Sequence, residues 1–279
     1  MMNWKAAGVL LRGLALPAAL TAAPALAQTD GGPKADLGAV QSCMDAAAPG
    51  ADHSACVWLA ARACMALPGG ETTVGMVECM GQEHDFWDKQ LNDSYQALMA
   101  RAKDQGGGDA GASLRQMQRD WIAYRDATCM WESAPWDGGT MVQLAYNSCM
   151  LDETARQALR LQGSQEPDIC ATATRYRTPV VEDCDQKGYD DWDRLLNDSY
   201  QAVTDEARGI KEDMTASGIS AEMAPDRLLQ AMQRDWIAYR DSTCNWQAGQ
   251  PDAGRTPDQA RADCLLRETA RQALRVYQR

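Results

Sequence analysis

Histidines, closely spaced cysteines and known catalytic motifs are scarce or absent in this chain of 279 residues. The two histidines are His53 and His84, and no Cys-x-x-Cys pair occurs, so a structural zinc site is not expected. No G-x-S-x-G, H-E-x-x-H or phosphate-loop motif is present. Carboxylate pairs are common, but in so acidic a chain they are most often a solvated helix face. We therefore expect neither an enzyme nor a cofactor or metal site.

Basic residues are also few, with 27 Lys and Arg against 39 Asp and Glu. Lys5 and Arg12 lie in an apolar N-terminal segment that ends in an Ala-Leu-Ala cleavage pattern, which predicts a secretory signal peptide over residues 1–27. A membrane anchor is the alternative, but the apolar run is short, Arg12 interrupts it, and no second hydrophobic span follows. We expect cleavage before Gln28, no membrane anchor, and a periplasmic or secreted protein.

The predicted mature chain is strongly acidic. Removal of residues 1–27 takes away two basic residues and no acid, which leaves 25 Lys and Arg against 39 Asp and Glu, a net charge of −14. This charge disfavours nucleic acid and anionic lipid as partners, and it would steer a basic protein toward the chain. Solubility alone is the alternative explanation of the charge.

The chain contains two copies of one unit. Three strings return in the same order, the first pair offset by 105 residues and the other two pairs by 115. A repeat this long indicates a duplicated small domain rather than a solenoid module. The strings are LNDSYQA at 91–97 and 196–202, MQRDWIAYRD at 117–126 and 232–241, and ETARQALR at 153–160 and 268–275.

Apolar residues recur at helical spacing in both copies, and no run of alternating β-branched residues predicts a sheet. The predicted fold class is all-α: two tandem, disulfide-stapled, up-down helical bundles after the signal peptide. The first bundle is expected at 64–162 and the second at 168–279, with an extension at 28–63 that belongs to the first copy alone. The predicted helices are 72–103, 112–131, 141–161, 181–209, 225–246 and 257–277.

All ten cysteines follow the predicted signal peptide, so disulfides are expected in an oxidising compartment. Cys129 and Cys149 are 20 residues apart, and so are their counterparts in the second copy, although the intervening sequences differ. This equal spacing favours one closed loop in each copy. If the first two helices are antiparallel, a Cys79–Cys129 bridge is a steric alternative that the sequence leaves open. The expected pairs are Cys43–Cys56, Cys64–Cys79, Cys129–Cys149, Cys170–Cys184 and Cys244–Cys264.

The string MQRDWIAYRD places Trp121 and Arg125 one helical turn apart on the same face. We expect the Arg125 guanidinium to lie over the Trp121 ring while it pairs with Asp88 or Asp93 of the preceding helix. Such a clamp would be structural. The alternative is an exposed Trp/Tyr/Arg patch that contacts a protein partner. The second copy offers the same set in Trp236, Arg240, Asp193 and Asp198.

The string LNDSYQA carries further candidates for a structural role or a partner contact. Asn92 and Asn197 fall in the middle of predicted helices, where asparagine is a poor helix former. Their presence in both copies predicts tertiary partners, and a buried hydrogen bond is the favoured role for Asn92 over a ligand contact. Tyr95 and Tyr200 follow three residues later in the same string.

These motifs together resemble the LprI-like lysozyme inhibitor family of bacterial envelope proteins. The resemblance runs through C…C…W-D-x-x-L-N-x-x-Y, then Q-R-x-W-I-x-Y-R-D-x-x-C, then C…E-T-A-R-x-x-L, and it covers nearly all of the mature chain. In the first copy it rests on Cys79, Trp87, Asp88, Leu91, Asn92, Tyr95, Gln118, Trp121, Arg125, Asp126, Cys129, Cys149, Thr154 and Arg156. In the second copy it rests on Cys184, Trp192, Asp193, Leu196, Asn197, Tyr200, Gln233, Trp236, Arg240, Asp241, Cys244, Cys264, Thr269 and Arg271.

The resemblance implies a small disulfide-stapled helical domain, used twice, and a non-enzymatic envelope protein that binds a protein partner. Lysozyme is the partner that it implies first. A periplasmic helical scaffold without lysozyme inhibition is the alternative. We expect a partner to contact the less similar segments 132–140 and 247–256, which are rich in Gly and Pro and lie beside predicted bridges.

Overall fold

The all-α class predicted from the sequence is confirmed. In the part of the chain that the structure describes, α-helices are joined by short turns and two 3-10 helices, and no strand occurs. The predicted signal peptide lies outside that part. The computed structural model describes residues 32–48, 50–104, 108–136, 139–165, 168–175, 184, 188–217, 224–250 and 254–278.

The repeated strings lie on long helices, three in each copy. Shorter helices precede each set: α1 and α2 before the first, and α6 at the start of the second copy. The helices are α1 (Leu37–Ala46), α2 (Leu59–Met65), α3 (Thr73–Asp104), α4 (Gly108–Ser133), α5 (Met141–Leu161), α6 (Ile169–Arg175), α7 (Tyr189–Ala216), α8 (Pro225–Ala248) and α9 (Pro257–Tyr277).

Five of the six predicted long helices agree with the structure to within a few residues, and one is shifted. The sequence predicted a helix at 181–209, whereas α7 begins at Tyr189 and continues through Gly209 to Ala216. A single glycine costs a helix only about 1 kcal/mol relative to alanine. Lys211 Nζ lies 2.7 Å from Asp226 Oδ2 at the start of α8, and this contact fixes the last turns of α7.

In each copy the last helix packs between the other two. Helix α5 packs against both α3 and α4, and α9 packs in the same way against α7 and α8. The tryptophans Trp87 and Trp192, at matching positions of α3 and α7, are almost fully buried in this core. The up-down order of the helices brings the beginning of α3, the end of α4 and the beginning of α5 to the same end of the first copy.

The N-terminal extension is fastened to the first copy through a buried carboxylate. Glu83 on α3 is fully buried, and it accepts hydrogen bonds from the backbone N–H groups of Trp58 (2.6 Å) and Ala61 (2.7 Å) at the start of α2. The Trp87 indole also donates to Glu83, at 3.1 Å. A carboxylate at a helix N-terminus satisfies free N–H groups and complements the helix dipole. Position 83 corresponds to Gly188 in the second copy, which lacks this contact.

The two copies share one hydrophobic core. Helices α4 and α8 pack against each other along their length, and residues of both copies belong to a single buried cluster. Residues 32–279 accordingly form one compact unit. The duplication therefore produced a pair of bundles that pack as an internal dimer.

Within the described residues, no helix has the length and apolar character needed to cross a membrane.

Candidate partner-binding surfaces and the repeated motifs

The five bridges expected from cysteine spacing are the five disulfides of the structure. Cys79 pairs with Cys64 and Cys129 with Cys149, so the cross-pairing that the sequence left open does not form. The described residues contain no free cysteine. The structure also contains Cys43–Cys56, Cys170–Cys184 and Cys244–Cys264.

The stacked arrangement of Trp121 and Arg125 is present in both copies. The Arg125 guanidinium carbon lies 4.8 Å from the centroid of the Trp121 ring, and the distance between Arg240 and Trp236 is 4.9 Å. Both tryptophans are buried in the core. This geometry favours the structural clamp over an exposed aromatic patch, because a buried ring is inaccessible to a partner.

The predicted carboxylate partner of the clamp is wrong. Arg125 donates from Nε and Nη2 to its own neighbour Asp126, at 2.9 and 2.7 Å, and Arg240 pairs likewise with Asp241. Helix α3, which carries Asp88 and Asp93, packs chiefly against α5 rather than against α4, the helix of Arg125. Asp88 instead accepts from Asn92, and Asp93 lies 2.6 Å from Lys89 Nζ. In the second copy, Asp193 accepts from Asn197.

The predicted burial of Asn92 is also wrong. Asn92 and Asn197 are exposed, and each bonds one turn back along its own helix, to Asp88 and Asp193 respectively, at 3.0 Å. An i–4 contact of this kind satisfies the amide without any tertiary partner.

The tyrosines of the same string lie partly in the core. Tyr95 and Tyr200 are half-buried and pack against the shared hydrophobic cluster. Burial raises the pKa of the Tyr200 phenol above its ordinary value. Both rings therefore serve the interior of their own copy more than its surface.

A further repeated interaction joins the copies to each other, and it was not predicted from the sequence. The rings of Tyr124 and Tyr239 stack with centroids 5.3 Å apart. Tyr124 Oη donates to Gln272 in the second copy (3.2 Å), and Tyr239 Oη donates to Gln157 in the first (2.7 Å). Burial raises the pKa of both phenols, so both hydroxyl groups remain protonated donors.

Charged residues repeat this reciprocal pattern. Arg160 Nη2 of the first copy lies 2.7 Å from Glu268 of the second, and Arg275 of the second copy pairs with Glu153 of the first. Arg275 also reaches Glu132, at 3.1 Å. Burial opposes ionisation of Glu153, but the nearby guanidinium groups outweigh it and hold the pKa of this carboxyl below its ordinary value. Arg160 and Arg275 occupy matching positions of the two copies, and so do Glu153 and Glu268. Each copy therefore donates from an arginine to the glutamate of the other, as in an isologous dimer interface.

A sequence signal for this interface existed. The string ETARQALR supplies the glutamate, glutamine and second arginine of the network in both copies, and these residue types are rarely buried unless paired. Their identical recurrence within an apolar helix pattern indicates a shared polar interface.

The segments expected to contact a partner differ in surface chemistry. In segment 132–140, Trp136 lies on a 3-10 helix (Ala134–Trp136) with 48% of its surface exposed. In segment 247–256, Arg255 pairs with Asp263 at 2.9 Å, and the described part presents no large apolar side chain. Residues 137–138 and 251–253 lie outside the described part. The described residues contain no cluster of His, Cys, Asp or Glu able to hold a metal ion.

Comparison with known proteins matches the chain to a family model described as lysozyme inhibitor LprI, over residues 64–161 and 170–275. The uncharacterized protein R02472 of Rhizobium meliloti (strain 1021) is 30% identical over 135 residues, which are 44% of this chain and 97% of that protein. A crystal structure of an uncharacterized protein from Burkholderia thailandensis is 22% identical, with a TM-score of 0.45, and covers 76% of this chain and 95% of that chain.

Proposed function

Because the chain belongs to the family of the lysozyme inhibitor LprI, we propose that it is an exported envelope protein that binds a lysozyme and inhibits it. The observation that carries this proposal is the match of the family model to both copies, which together make up most of the chain. It is supported by the five disulfides, which form and persist in oxidising compartments such as the periplasm.

The charge of the chain supports a basic partner. The net charge is −12, and it is −14 after removal of the predicted signal peptide, with 25 Lys and Arg against 39 acids. Lysozymes of the c-type are commonly basic. Long-range attraction would raise their rate of encounter with the acidic chain, and salt would weaken it. Inhibition would then be steric: the bound protein would keep cell-wall polymer away from the lysozyme cleft, with no chemistry of its own.

A periplasmic scaffold that binds another envelope protein is the second candidate. It is favoured by the use of the repeated residues inside the molecule: Trp121, Tyr124 and Gln157 pack or bond within the chain. On this second proposal, their recurrence reflects architecture rather than contact with a lysozyme.

An assay of lysozyme activity distinguishes the two candidates. It measures how fast purified c-type lysozyme degrades bacterial cell walls at low salt, with and without the processed protein. We expect turnover to fall as the protein is added and to recover as the salt concentration rises. A set of disulfide-reduced, unfolded samples controls for non-specific binding of an acidic polymer. Unchanged turnover at high molar excess of the folded protein would leave the scaffold as the surviving candidate.

A further inference from the structure

Exposed apolar side chains are concentrated at one end of the first copy. This end comprises the turn between α2 and α3, the end of α4 with the 3-10 helix Ala134–Trp136, and the beginning of α5 at Met141. Five large apolar residues project from it, including Val74, with 68% of its surface exposed. We call this surface the copy-one pole. Its apolar members are Leu67, Val74, Met130, Trp136 and Met141.

Packing inside the first copy brings these two segments to the same end. Leu144, one turn into α5, packs against the small buried cluster that contains Met80 of α3, and Met76 joins the same cluster. Gly139 donates to the carbonyl of Trp136 at 3.2 Å, which turns the chain back into α5. The beginnings of α3 and α5 therefore lie side by side, with the apolar residues around them.

Both segments are held by disulfides. Cys64–Cys79 closes the segment that carries Leu67 and Val74, and Cys129–Cys149 closes the segment that carries Trp136 and Met141. A binding surface that is fixed before it meets a partner loses less conformational entropy on binding. The two bridges thus give the copy-one pole the properties of a preorganised contact surface.

The copy-one pole lacks positive charge of its own. No Lys or Arg occurs in residues 63–88 or 126–155. Glu71 and Glu78, just before and just after the beginning of α3, are exposed there. Arg275 of the second copy pairs with Glu132 and Glu153, but these contacts are buried. Arg275 therefore forms no ion pair with the exposed carboxylates of the pole. The first copy therefore contributes apolar and acidic side chains, and no basic ones, to this surface. Helix α8 of the second copy packs against the 3-10 helix that carries Trp136.

The corresponding end of the second copy has different chemistry. Asn245 stands in place of Met130 and accepts a hydrogen bond from Arg261 at 2.9 Å. Arg255 and Arg267 add positive charge to segments whose counterparts in the first copy have none. Within the described residues, the two copies therefore share their interior but differ in the chemistry of this end.

We propose that the copy-one pole is the docking surface for a basic globular protein with an apolar cleft, and that Trp136 is its anchor. A half-exposed tryptophan at the same end of the copy as exposed methionine and aliphatic side chains has the composition of an interface centre, and the exposed carboxylates of this end complement a positive partner. This proposal rests on the proposed function, in which the basic protein is a lysozyme. The second copy then acts as a brace: it binds the first through the tyrosine and arginine network and contacts no partner.

The test compares four paired variants of the processed full-length chain, each titrated with c-type lysozyme at low salt. The apolar variant is Trp136→Ser/Val74→Ser, and its control is Ile122→Ser/Ile237→Ser, because both isoleucines are 42% exposed at matching places on α4 and α8. The charge variant is Glu71→Lys/Glu78→Lys, and its control is Glu212→Lys/Asp213→Lys, two exposed acids of α7. Melting temperatures verify that each variant is folded.

We expect the apolar variant to weaken lysozyme binding on the order of tenfold to a hundredfold, the loss typical of an interface anchor. The charge variant should weaken it chiefly through slower association, and both controls should bind like the original protein. If Trp136→Ser/Val74→Ser unfolds, the charge pair decides. Unchanged binding by the pole variants, or equal losses in the controls, would overturn the docking surface while leaving lysozyme binding intact. No binding by the original protein would contradict the proposed function itself.

Discussion

The ring of Tyr124 stacks on the ring of Tyr239 with centroids 5.3 Å apart and an angle of 17° between the planes. These residues occupy the same position of the repeated string MQRDWIAYRD, one in each copy. A residue that meets its own counterpart lies on a two-fold axis, so this contact marks the local symmetry axis between the copies. The string is retained because its buried face builds both the core of each copy and the junction between them.

Removal of one cation from the junction should destabilise the whole protein. In Arg275→Ala, Glu153 loses its hydrogen-bonded guanidinium and keeps the weaker attraction of Arg156, whose Nη1 lies 3.8 Å away, and of Arg160. Loss of one partner from a buried ion pair typically costs about 3–5 kcal/mol of unfolding free energy. Urea unfolding measures this change in the unfolding free energy. The control is Arg208→Ala, which removes an exposed pair with Asp205 and should cost within about 1 kcal/mol. Equal losses in both variants would contradict a buried junction.

Stability should fall in acid because of the same junction. The pKa of Glu153 is held below its ordinary value of 4.5 in the folded protein. A lowered carboxyl pKa contributes stability above the unfolded-state pKa, and this contribution is lost as the pH falls through the folded-state pKa. We expect the unfolding free energy to decline below about pH 4.5 and the decline to be shallower in Glu153→Gln. Parallel pH profiles for both proteins would rule this role out.

The two repeated strings should respond differently to alanine. Trp121 is buried beneath Arg125, so Trp121→Ala should cost roughly 3–5 kcal/mol, as large truncations in cores do. Asn92 is exposed and bonds only to Asp88, so Asn92→Ala should change the unfolding free energy by no more than about 0.5 kcal/mol. Thermal and urea unfolding of both variants provide the comparison. A fully stable Trp121→Ala protein would show that the clamp has no structural role.

Export should leave a chain that begins at Gln28 and contains ten oxidised cysteines. Mass spectrometry of protein from the bacterial envelope, before and after thiol alkylation, tests both features. Loss of one bridge, as in Cys129→Ser/Cys149→Ser, should cost about 2–5 kcal/mol, because the bridge restricts the unfolded chain. Alkylated thiols without prior reduction, or an uncleaved N-terminus, would contradict the predicted compartment.

Sequence patterns gave the helices, the class of fold and the cysteine pairs, because helical periodicity and equal loop lengths are local properties. The carboxylate partner of Arg125 was predicted wrongly, because that choice depends on which helices are neighbours: α3 packs chiefly against α5, and Asp126 is within reach on α4 itself. The burial of Asn92 was predicted wrongly for a related reason, since Asp88 one turn earlier satisfies the amide at the surface.

Two features were not predicted from those patterns: the copy-one pole, and the junction that joins the two copies. Arg160 and Glu268 are 108 residues apart in sequence, and only the packing of α4 against α8 brings them together. Trp136 follows a proline in a short 3-10 helix between two long helices, where no periodic pattern indicates whether the ring is buried or exposed. Such features depend on tertiary arrangement, which a single sequence read by periodicity does not specify.

The most direct test of lysozyme binding is calorimetric titration of the processed protein with c-type lysozyme at low and at high ionic strength. We expect a saturable complex whose affinity falls as salt is added, since attraction between exposed charges is screened beyond about 10 Å at 0.1 M salt. We also expect one lysozyme for each chain, because in the described part of the chain the apolar and acidic pole belongs to the first copy. Absence of binding at low salt by the folded, fully oxidised protein would contradict the proposal that it binds lysozyme.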